Sequence, residues 1–444
     1  MTLRQKLSLG LMMPVTLALV ALLAAALAQS VPDISPSSAE SQFDSSRALA
    51  DAARLAHDYP GRVVGSPENA LARAWITTRF AELGLKVETL PFTVTVASRA
   101  RRGVLVWATV PGESEEVILV SAHYDTSPAT NSASNDNPAG VAALLELARL
   151  FAAEQPRHTL IFLACDSNAY GPAWGAKNFA ERFQGRIVAA LDLEHPPGVV
   201  RSIRIEDTGL RSGYAPLWLQ QAGLASLNRI GSFAVEADSL RGYLRRALPV
   251  STGDYAAYLR ARVPAIGLSA VVAPTVRGNG ASPSAQDLGA YGRIAETWLR
   301  TVDALNPIPQ ATTYNFDLRL SEGRYLPGWA AAGLQLLLFA PLFLATAMAW
   351  QADRPSTDEL KPEFFALMGL VVAGLDGYAV AYSLVVLGAL PRYEMFPASP
   401  GDPFLLRPDW LAALAVFGTV ALFGWFTFRR GGWGRFADML HIPY

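Results

Sequence analysis

The chain has 444 residues, of which 51% are hydrophobic and 17% are charged, and its formal net charge is −1. Soluble domains usually carry charge on about a quarter of their residues, so this composition excludes a disordered chain and a wholly soluble enzyme of ordinary make-up. A long polar middle stretch excludes a pure transporter. The near-zero charge gives no indication of a nucleic-acid partner. A single cysteine, Cys165, excludes an internal disulfide framework and a cysteine-rich metal site.

The first apolar segment covers residues 1–30 and is predicted to be a signal-anchor or transmembrane helix. Arg4 and Lys6 give it a basic start, and Ala26-Leu27-Ala28 resembles a signal-peptidase site, so retention and cleavage both stay open. Residues 31–42 are rich in Ser and Pro and are predicted to be a linker.

Residues 43–306 alternate between helical and strand patterns. In chain order, the apolar spacing predicts helices over 43–57 and 69–85, strands over 87–96, 103–110 and 117–121, a helix over 138–151, and strands over 159–164 and 187–193. Such alternation predicts an α/β domain with a mixed, mostly parallel sheet and helices on both faces. Functional sites in such sheets lie at the carboxyl ends of the strands.

Three further apolar segments follow a predicted linker over 307–325. Residues 326–351, 363–390 and 409–428 are each long enough to cross the roughly 30 Å hydrocarbon core as a helix. Asp376 interrupts the second of these segments, either as a hydrogen-bonded packing residue or as a contact with a partner membrane protein. Residues 429–444 are predicted to be a cytoplasmic tail.

The distribution of Lys and Arg predicts the orientation of these segments. With four spanning helices, one side of the membrane carries Arg4, Lys6, Arg354, Lys361, Arg429, Arg430 and Arg435, whereas the opposite short loop carries Arg392 and Arg407. The positive-inside rule then places both termini in the cytoplasm. We therefore expect a multi-pass membrane protein, in the cytoplasmic membrane if the source is bacterial, with its main domain in the periplasm or its equivalent.

Candidate metal ligands lie where the predicted strands end. His123 follows the strand over 117–121, and Asp136 opens the helix over 138–151. Imidazole and carboxylate groups suit zinc, and Asp125 is placed to orient the imidazole as a supporting partner. In the alternative interpretation Asp136 only caps the helix and His123 is an ordinary loop residue. The residue types alone leave both interpretations open.

The motifs around these residues resemble those of the co-catalytic di-zinc aminopeptidases, a family that includes bacterial leucyl aminopeptidases, aminopeptidase Y and the glutaminyl cyclases. The resemblance covers about residues 45–305 and is carried by the runs 123–125, 136–140, 144–149, 251–255 and 263–268. It implies an aminopeptidase-like three-layer αβα domain, to which the apolar segments add transmembrane helices. The membrane layout is similar to that of the family's vacuolar and endoplasmic-reticulum branch.

The resemblance implies a first-metal site but not a second. His123, Asp136 and Glu194 match the first-metal ligands, with Asp192 as an alternative to Glu194. At the family's two adjacent glutamates, the general base and a second-metal ligand, this chain has Asn168 and Ala169. The late histidine is also missing, because the five histidines are His57, His123, His158, His195 and His441. We therefore expect one zinc at most and assign no catalytic residue.

These departures favour a catalytically degenerate pseudo-peptidase that serves as a binding or scaffold subunit of a membrane assembly. The expected partners are membrane lipid, other membrane proteins and a peptide-like ligand. The alternative is an active exopeptidase or glutaminyl-cyclase-like enzyme that works with a single metal, using Asp166, Glu194 or a substrate group as base. A serine hydrolase is disfavoured because the chain lacks a Gly-x-Ser-x-Gly elbow.

Overall fold

The computed structural model describes residues 16–96, 99–126, 137–168, 173–196, 198–207, 213–235, 253–272, 284–309, 317–321, 323–338 and 418. Asp136, Ala169 and Asp376 lie outside these residues. So do the predicted segment 363–390, the tail 429–444 and most of the segments 326–351 and 409–428. The chain divides into two compact units, and the described residues of the first are 16–29, 326–338 and 418.

The first unit is apolar where it is described. Residues 16–27 form helix α1, in which Leu17, Leu19 and Leu22 are exposed. Helix α9 spans Gly328–Leu338. Within the ranges given above, none of the helices combines the length and hydropathy that a membrane span requires.

The second unit contains seven helices in its described ranges. They are α2 (Ser45–Asp58), α3 (Pro67–Glu82), α4 (Pro138–Ala152), α5 (Trp174–Arg182), α6 (Leu217–Ile230), α7 (Asp254–Arg260) and α8 (Ala285–Asp303). Local sequence explains where the first two begin. The Asp44 carboxylate accepts bonds from the backbone of Ser46 and Arg47 at the start of α2. Ser66 accepts one from Asn69 N at the start of α3, in which proline occupies the first turn.

An eight-stranded sheet forms the centre of this unit. Its strands are β2 (Lys86–Val96), β3 (Arg99–Val110), β4 (Ser114–His123), β5 (His158–Cys165), β6 (Ile187–Glu194), β7 (Val200–Glu206), β8 (Ala234–Val235) and β9 (Ala265–Val272). They lie in the order β2-β3-β5-β4-β6-β9-β7-β8. Three short strands, β1 (Gln29–Ser30), β10 (Leu318–Ser321) and β11 (Arg324–Leu326), form a separate sheet in the order β1-β11-β10.

The large sheet is mixed, as the sequence predicts. Strands β5, β4, β6 and β9 are parallel to one another, whereas β3 is antiparallel to β2 and β5, and β7 is antiparallel to β9. The last seven residues of β4 are all buried. Because successive side chains of a strand point to opposite faces, both faces are covered there. Helix α4 packs on β4 and β6, and α7 packs on the same two strands without packing on α4, which supports the three-layer arrangement.

The predicted helices and strands of this unit are confirmed with small shifts in their ends. The predicted helix over 138–151 is Pro138–Ala152, and the predicted strand over 117–121 extends to Ser114–His123. Strands β7 and β9 and helices α6 and α8 were not among the predicted elements. Their sequences are interrupted by charged or small residues, which weakens the apolar pattern from which elements are recognised.

The segment before α2 is bonded to α8. Ser37 N donates to Thr301 Oγ1 at 2.9 Å, and the backbone N–H groups of Gln42 and Phe43 both donate to Glu296 Oε2 at 3.1 Å. Glu296 is fully buried. A buried carboxylate therefore fixes the end of the predicted linker against the last helix of the α/β unit.

Replacing that carboxylate should destabilise the α/β unit. Glu296→Ala leaves two backbone N–H groups without their acceptor, and each such loss costs about 1–3 kcal/mol. We expect urea titration to show a loss of about 3 kcal/mol in the free energy of unfolding. Glu181→Ala is the matched control, because the Glu181 side chain is 59% exposed and, within the described part of the chain, its ion pair is with Lys177. Equal effects of the two changes would contradict this assignment.

Candidate metal site

His123 and Glu194 meet at the carboxyl edge of the sheet. His123 ends β4 and Glu194 ends β6, and these two strands are parallel neighbours. The His123 Nε2 atom lies 3.3 Å from Glu194 Oε2. Both residues are buried, with 3% and 7% of their surface exposed. The fold therefore brings together two of the three predicted first-metal ligands.

The separation of these two atoms fits a shared zinc ion. Ligands at about 2.0–2.1 Å from a tetrahedral zinc are separated from each other by about 3.3–3.4 Å. The other ring nitrogen of His123, Nδ1, lies 3.3 Å from the Asp125 carbonyl oxygen and 3.6 Å from Asp125 Oδ1. This support leaves Nε2 as the metal-facing atom. Among the described residues, no group of three potential ligands is assembled, and the third predicted ligand, Asp136, lies outside them.

The entry of α4, next to Asp136, is tied to the end of β6. Asn137 Nδ2 donates to Leu193 O at 2.7 Å, and Asn137 Oδ1 accepts a bond from His195 N at 2.8 Å. Gly140 makes this approach possible, since a Cβ atom there would lie 2.2 Å from Asn137 Oδ1 and 2.6 Å from Leu193 O. The α4 entry is therefore held beside the strand that carries Glu194.

The geometry favours Glu194 over Asp192 as a ligand. Asp192 is fully buried and its two oxygens are occupied, since Oδ1 accepts from Ser121 Oγ at 3.2 Å and Oδ2 accepts from Tyr255 N at 3.1 Å. Burial, followed by the nearby charge of Asp254, raises the pKa of Asp192 well above its usual value. The choice between the two carboxylates stays a prediction.

Asn168 presents a hydrogen-bond donor, not a base, to the site. Its backbone N donates to Asp125 Oδ1 at 3.0 Å, and its side-chain Nδ2 donates to Asp254 Oδ1 at 2.9 Å. Ser167, just before it, has a φ of 67°, which turns the chain sharply after β5. Ala169 lies outside the described residues. The side chain at the first expected glutamate position therefore acts as a donor to a neighbouring carboxylate.

Asp254 is a site residue that the sequence analysis did not single out. It begins α7 and is fully buried, and its Oδ2 atom has no hydrogen-bond partner in the described part of the chain. Burial raises the pKa of Asp254 to about 7. The only sequence signal was its place in the motif over 251–255, where an acidic residue precedes an aromatic one at a helix start.

Asp166 is held away from the site by three donors. Its Oδ1 accepts from Asn69 Nδ2 at 3.1 Å, while its Oδ2 accepts from Val104 N at 3.0 Å and from the Tyr124 hydroxyl at 3.1 Å. Burial and the charge of Asp125 raise the pKa of Asp166 to about 7. Because its oxygens already accept bonds from α3, from β3 and from Tyr124 just after β4, Asp166 is a weaker candidate for a base than Asp254.

The stability of the metal-free protein should fall as pH rises, partly because of Asp254. Its pKa is 3.8 in an ordinary setting and about 7 here, so the folded state retains a proton that the unfolded state releases. The effect of Asp254 on the free energy of unfolding is therefore absent below pH 3.8, where both states hold the proton. It destabilises the fold progressively between pH 3.8 and pH 7. In EDTA-treated protein, Asp254→Asn should reduce the drop in thermal midpoint between pH 5 and pH 8. Asp58→Asn, on an exposed side chain, is the control, and an unchanged drop in Asp254→Asn would contradict the assignment.

A mixed eight-stranded sheet with a histidine and a glutamate at its carboxyl edge defines an α/β protein with a candidate metal site. Residues 105–302 match the family model described as peptidase family M28. The fold is similar to that of the crystal structure of Fimbriiglobus ruber glutaminyl cyclase, with a TM-score of 0.50 and 20% sequence identity. The match covers 60% of this chain and 98% of that one. The superposition shows the fold of the α/β unit, and the match to the family model covers residues 105–302, which are less than half of the chain.

Two curated relatives match shorter parts of the chain. The alkaline phosphatase isozyme conversion protein of Escherichia coli is 27% identical over 180 residues, which are 36% of this chain and 52% of that protein. A probable zinc metalloprotease of Pyricularia oryzae is 33% identical over 141 residues, which are 27% of each. The similarity thus spans about half of one relative and about a quarter of the other.

Proposed function

We propose that this chain is a membrane-anchored, zinc-binding member of the aminopeptidase-like group that has lost peptide hydrolysis and serves as a binding or scaffold subunit. The observation that carries the proposal is the hydrogen bond from Asn168 Nδ2 to Asp254 Oδ1. A side-chain amide used as a donor cannot take a proton from water. Loss of general-base assistance lowers a rate by about 10²–10⁴-fold.

One zinc ion suits the residues at the carboxyl edge of the sheet. His123, Asp136 and Glu194 would hold it, and the 3.3 Å separation of His123 Nε2 and Glu194 Oε2 supports this assignment. The name of the Pyricularia oryzae relative, a probable zinc metalloprotease, points to the same metal. When bound, zinc supplies a Lewis acid for a carbonyl oxygen. A second zinc lacks ligands because Asn168 and Ala169 replace two carboxylates and no histidine lies between residues 196 and 440.

The experiment that tests this function measures zinc content and hydrolysis on the same purified full-length chain. We expect no more than one zinc per chain, and turnover of amino-acid anilides and short peptides near background even with added zinc. Robust turnover that Asp136→Ala abolishes would overturn the proposal and establish the enzyme alternative.

That alternative is a single-metal exopeptidase or glutaminyl-cyclase-like enzyme, and one observation favours it. The Asp254 carboxylate has an oxygen without a hydrogen-bond partner in the described residues, and its pKa of about 7 suits proton transfer near neutral pH. If Asp254 is the base, Asp254→Asn should remove turnover while the zinc content stays the same.

The proposed setting is a membrane assembly with the α/β unit on the extracytoplasmic side. The apolar segments and the distribution of Lys and Arg support this setting, with lipid and other membrane proteins as partners and a peptide-like molecule as ligand.

Reporter fusions test the predicted topology. A reporter fused at Pro307 should report the periplasm or its equivalent, and one fused after Tyr444 should report the cytoplasm, because Arg429, Arg430 and Arg435 follow the last apolar segment. Two reporter enzymes are used, one active only outside the cytoplasm and one active only inside it. The first should be active when fused at Pro307, and the second when fused after Tyr444. The same side for both positions would refute the layout.

A further inference from the structure

A cavity of about 440 Å³ lies between the start of α3 and the strands β2 and β3. Its volume is in the range of small-molecule sites. Two arginines from different elements line it, Arg73 of α3 and Arg102 of β3. Neither His123 nor Glu194 lines it, so it is a different site from the metal site.

We propose that this cavity binds a small molecule through a carboxylate or phosphate group placed between Arg73 and Arg102. In the described part of the chain, neither guanidinium lies within ion-pair distance of a carboxylate. Guanidinium groups bind these two anions by paired, charge-assisted hydrogen bonds. Ser66 also lines the cavity and caps α3, so the partial positive charge of a 16-residue helix adds to that of the two arginines.

A buried amide in the cavity wall independently indicates a ligand. Asn69 lines the cavity and is 1% exposed. Its Nδ2 donates to Arg62 O and to Asp166 Oδ1, which fixes the orientation of the amide. Its Oδ1 has no hydrogen-bond partner in the described residues. The cavity therefore offers cationic donors for an anion and one acceptor for an N–H or O–H group of the same molecule.

Two nearby carboxylates do not neutralise the arginines. Asp166, behind the cavity wall, accepts bonds from Asn69, Val104 N and the Tyr124 hydroxyl. Glu68 lies in the first turn of α3 but does not line the cavity.

Calorimetric titration of the EDTA-treated full-length chain tests the site. The probes are inorganic phosphate, the dipeptide Gly-Gly, and Gly-Gly amide, which lacks the carboxylate. We expect phosphate, Gly-Gly or both to bind and Gly-Gly amide not to bind. Whichever of the two anions binds more tightly shows whether the natural ligand presents a phosphate or a carboxylate. EDTA removes metal from the other site, so this result is independent of the proposed function.

The variants are Arg73→Gln and Arg102→Gln. Each removes a charge-assisted hydrogen bond, so each should weaken binding at least about tenfold. Arg102 is exposed, so a change there leaves the fold intact and keeps the test usable if Arg73→Gln fails to fold. Arg102→Lys keeps the charge but loses the planar guanidinium, so it should give an intermediate loss of affinity. Arg54→Gln, on an arginine side chain of α2 that is 56% exposed, should bind as the unmodified chain does.

Three results would overturn the proposal. The first is binding of neither anion beyond that of chloride at equal ionic strength. The second is an Arg102→Gln variant whose affinity for the anion is within twofold of that of the unmodified chain. The third is an equal loss in Arg54→Gln, because it would show a general effect of surface charge.

Discussion

Removing the imidazole of His123 should abolish tight zinc binding. Its Nε2 atom lies 3.3 Å from Glu194 Oε2, and its Nδ1 atom is supported by Asp125. Loss of a group that only supports a ligand weakens metal binding about 10–100-fold, so loss of the ligand itself should exceed about 100-fold. Competition with a chromogenic chelator measures this change as a shift in the zinc dissociation constant. We expect His123→Ala to retain no zinc through gel filtration.

Two further variants make the result specific. Asp125→Asn should weaken zinc binding by an intermediate amount, because it perturbs the support of the imidazole and leaves the ligand in place. His57→Ala should have no effect, since the His57 side chain is 91% exposed on α2. Two equivalents of zinc in the unmodified protein, or zinc retention that His123→Ala leaves intact, would show that the ligand assignment is wrong.

Local patterns were sufficient to predict the elements that carry His123 and Glu194. Strands β4 and β6 are short apolar runs that become buried on both faces, and the helix beginning at Pro138 is strongly apolar and almost entirely buried. The alternation of such runs with helices fixes parallel neighbours, and the carboxyl ends of parallel neighbours meet at one edge. The meeting of His123 with Glu194 follows from that arrangement.

The role of Asp254 could not be predicted in the same way. It is 86 residues from Asn168, and its importance depends on a hydrogen bond across the site and on complete burial. Neither property leaves a periodic pattern in the sequence. The cavity proposed to bind an anion is a similar case, because Arg73 and Arg102 line the same cavity only when α3 packs beside β2 and β3. Contacts between distant elements are determined by tertiary packing, which local patterns do not encode.

Restoring the expected glutamate at position 168 should destabilise the protein and not activate it. In Asn168→Glu a second carboxylate replaces the amide whose Nδ2 now lies 2.9 Å from Asp254 Oδ1. Asp254 is fully buried and position 168 is partly buried, and two carboxylates so close disfavour joint ionisation, so they share a proton and one pKa rises further. Since the folded pair then holds a proton that the unfolded chain releases, stability should fall as pH increases above about 4.3, the ordinary glutamate value.

The measurement compares thermal midpoints at pH 5 and pH 8 for Asn168→Glu and for Asn168→Gln, which keeps the amide donor. The Glu variant should lose much more stability at pH 8 than the Gln variant, by about 3 kcal/mol or more, since an uncompensated buried charge is strongly destabilising. Added zinc should not restore the thermal midpoint of the Glu variant. The double variant Asn168→Glu, Ala169→Glu should still hydrolyse anilides at a rate near background, because no histidine between residues 196 and 440 completes a second metal site. If zinc restores the midpoint at pH 8 and turnover appears, the second site is recoverable and the pseudo-peptidase interpretation is wrong.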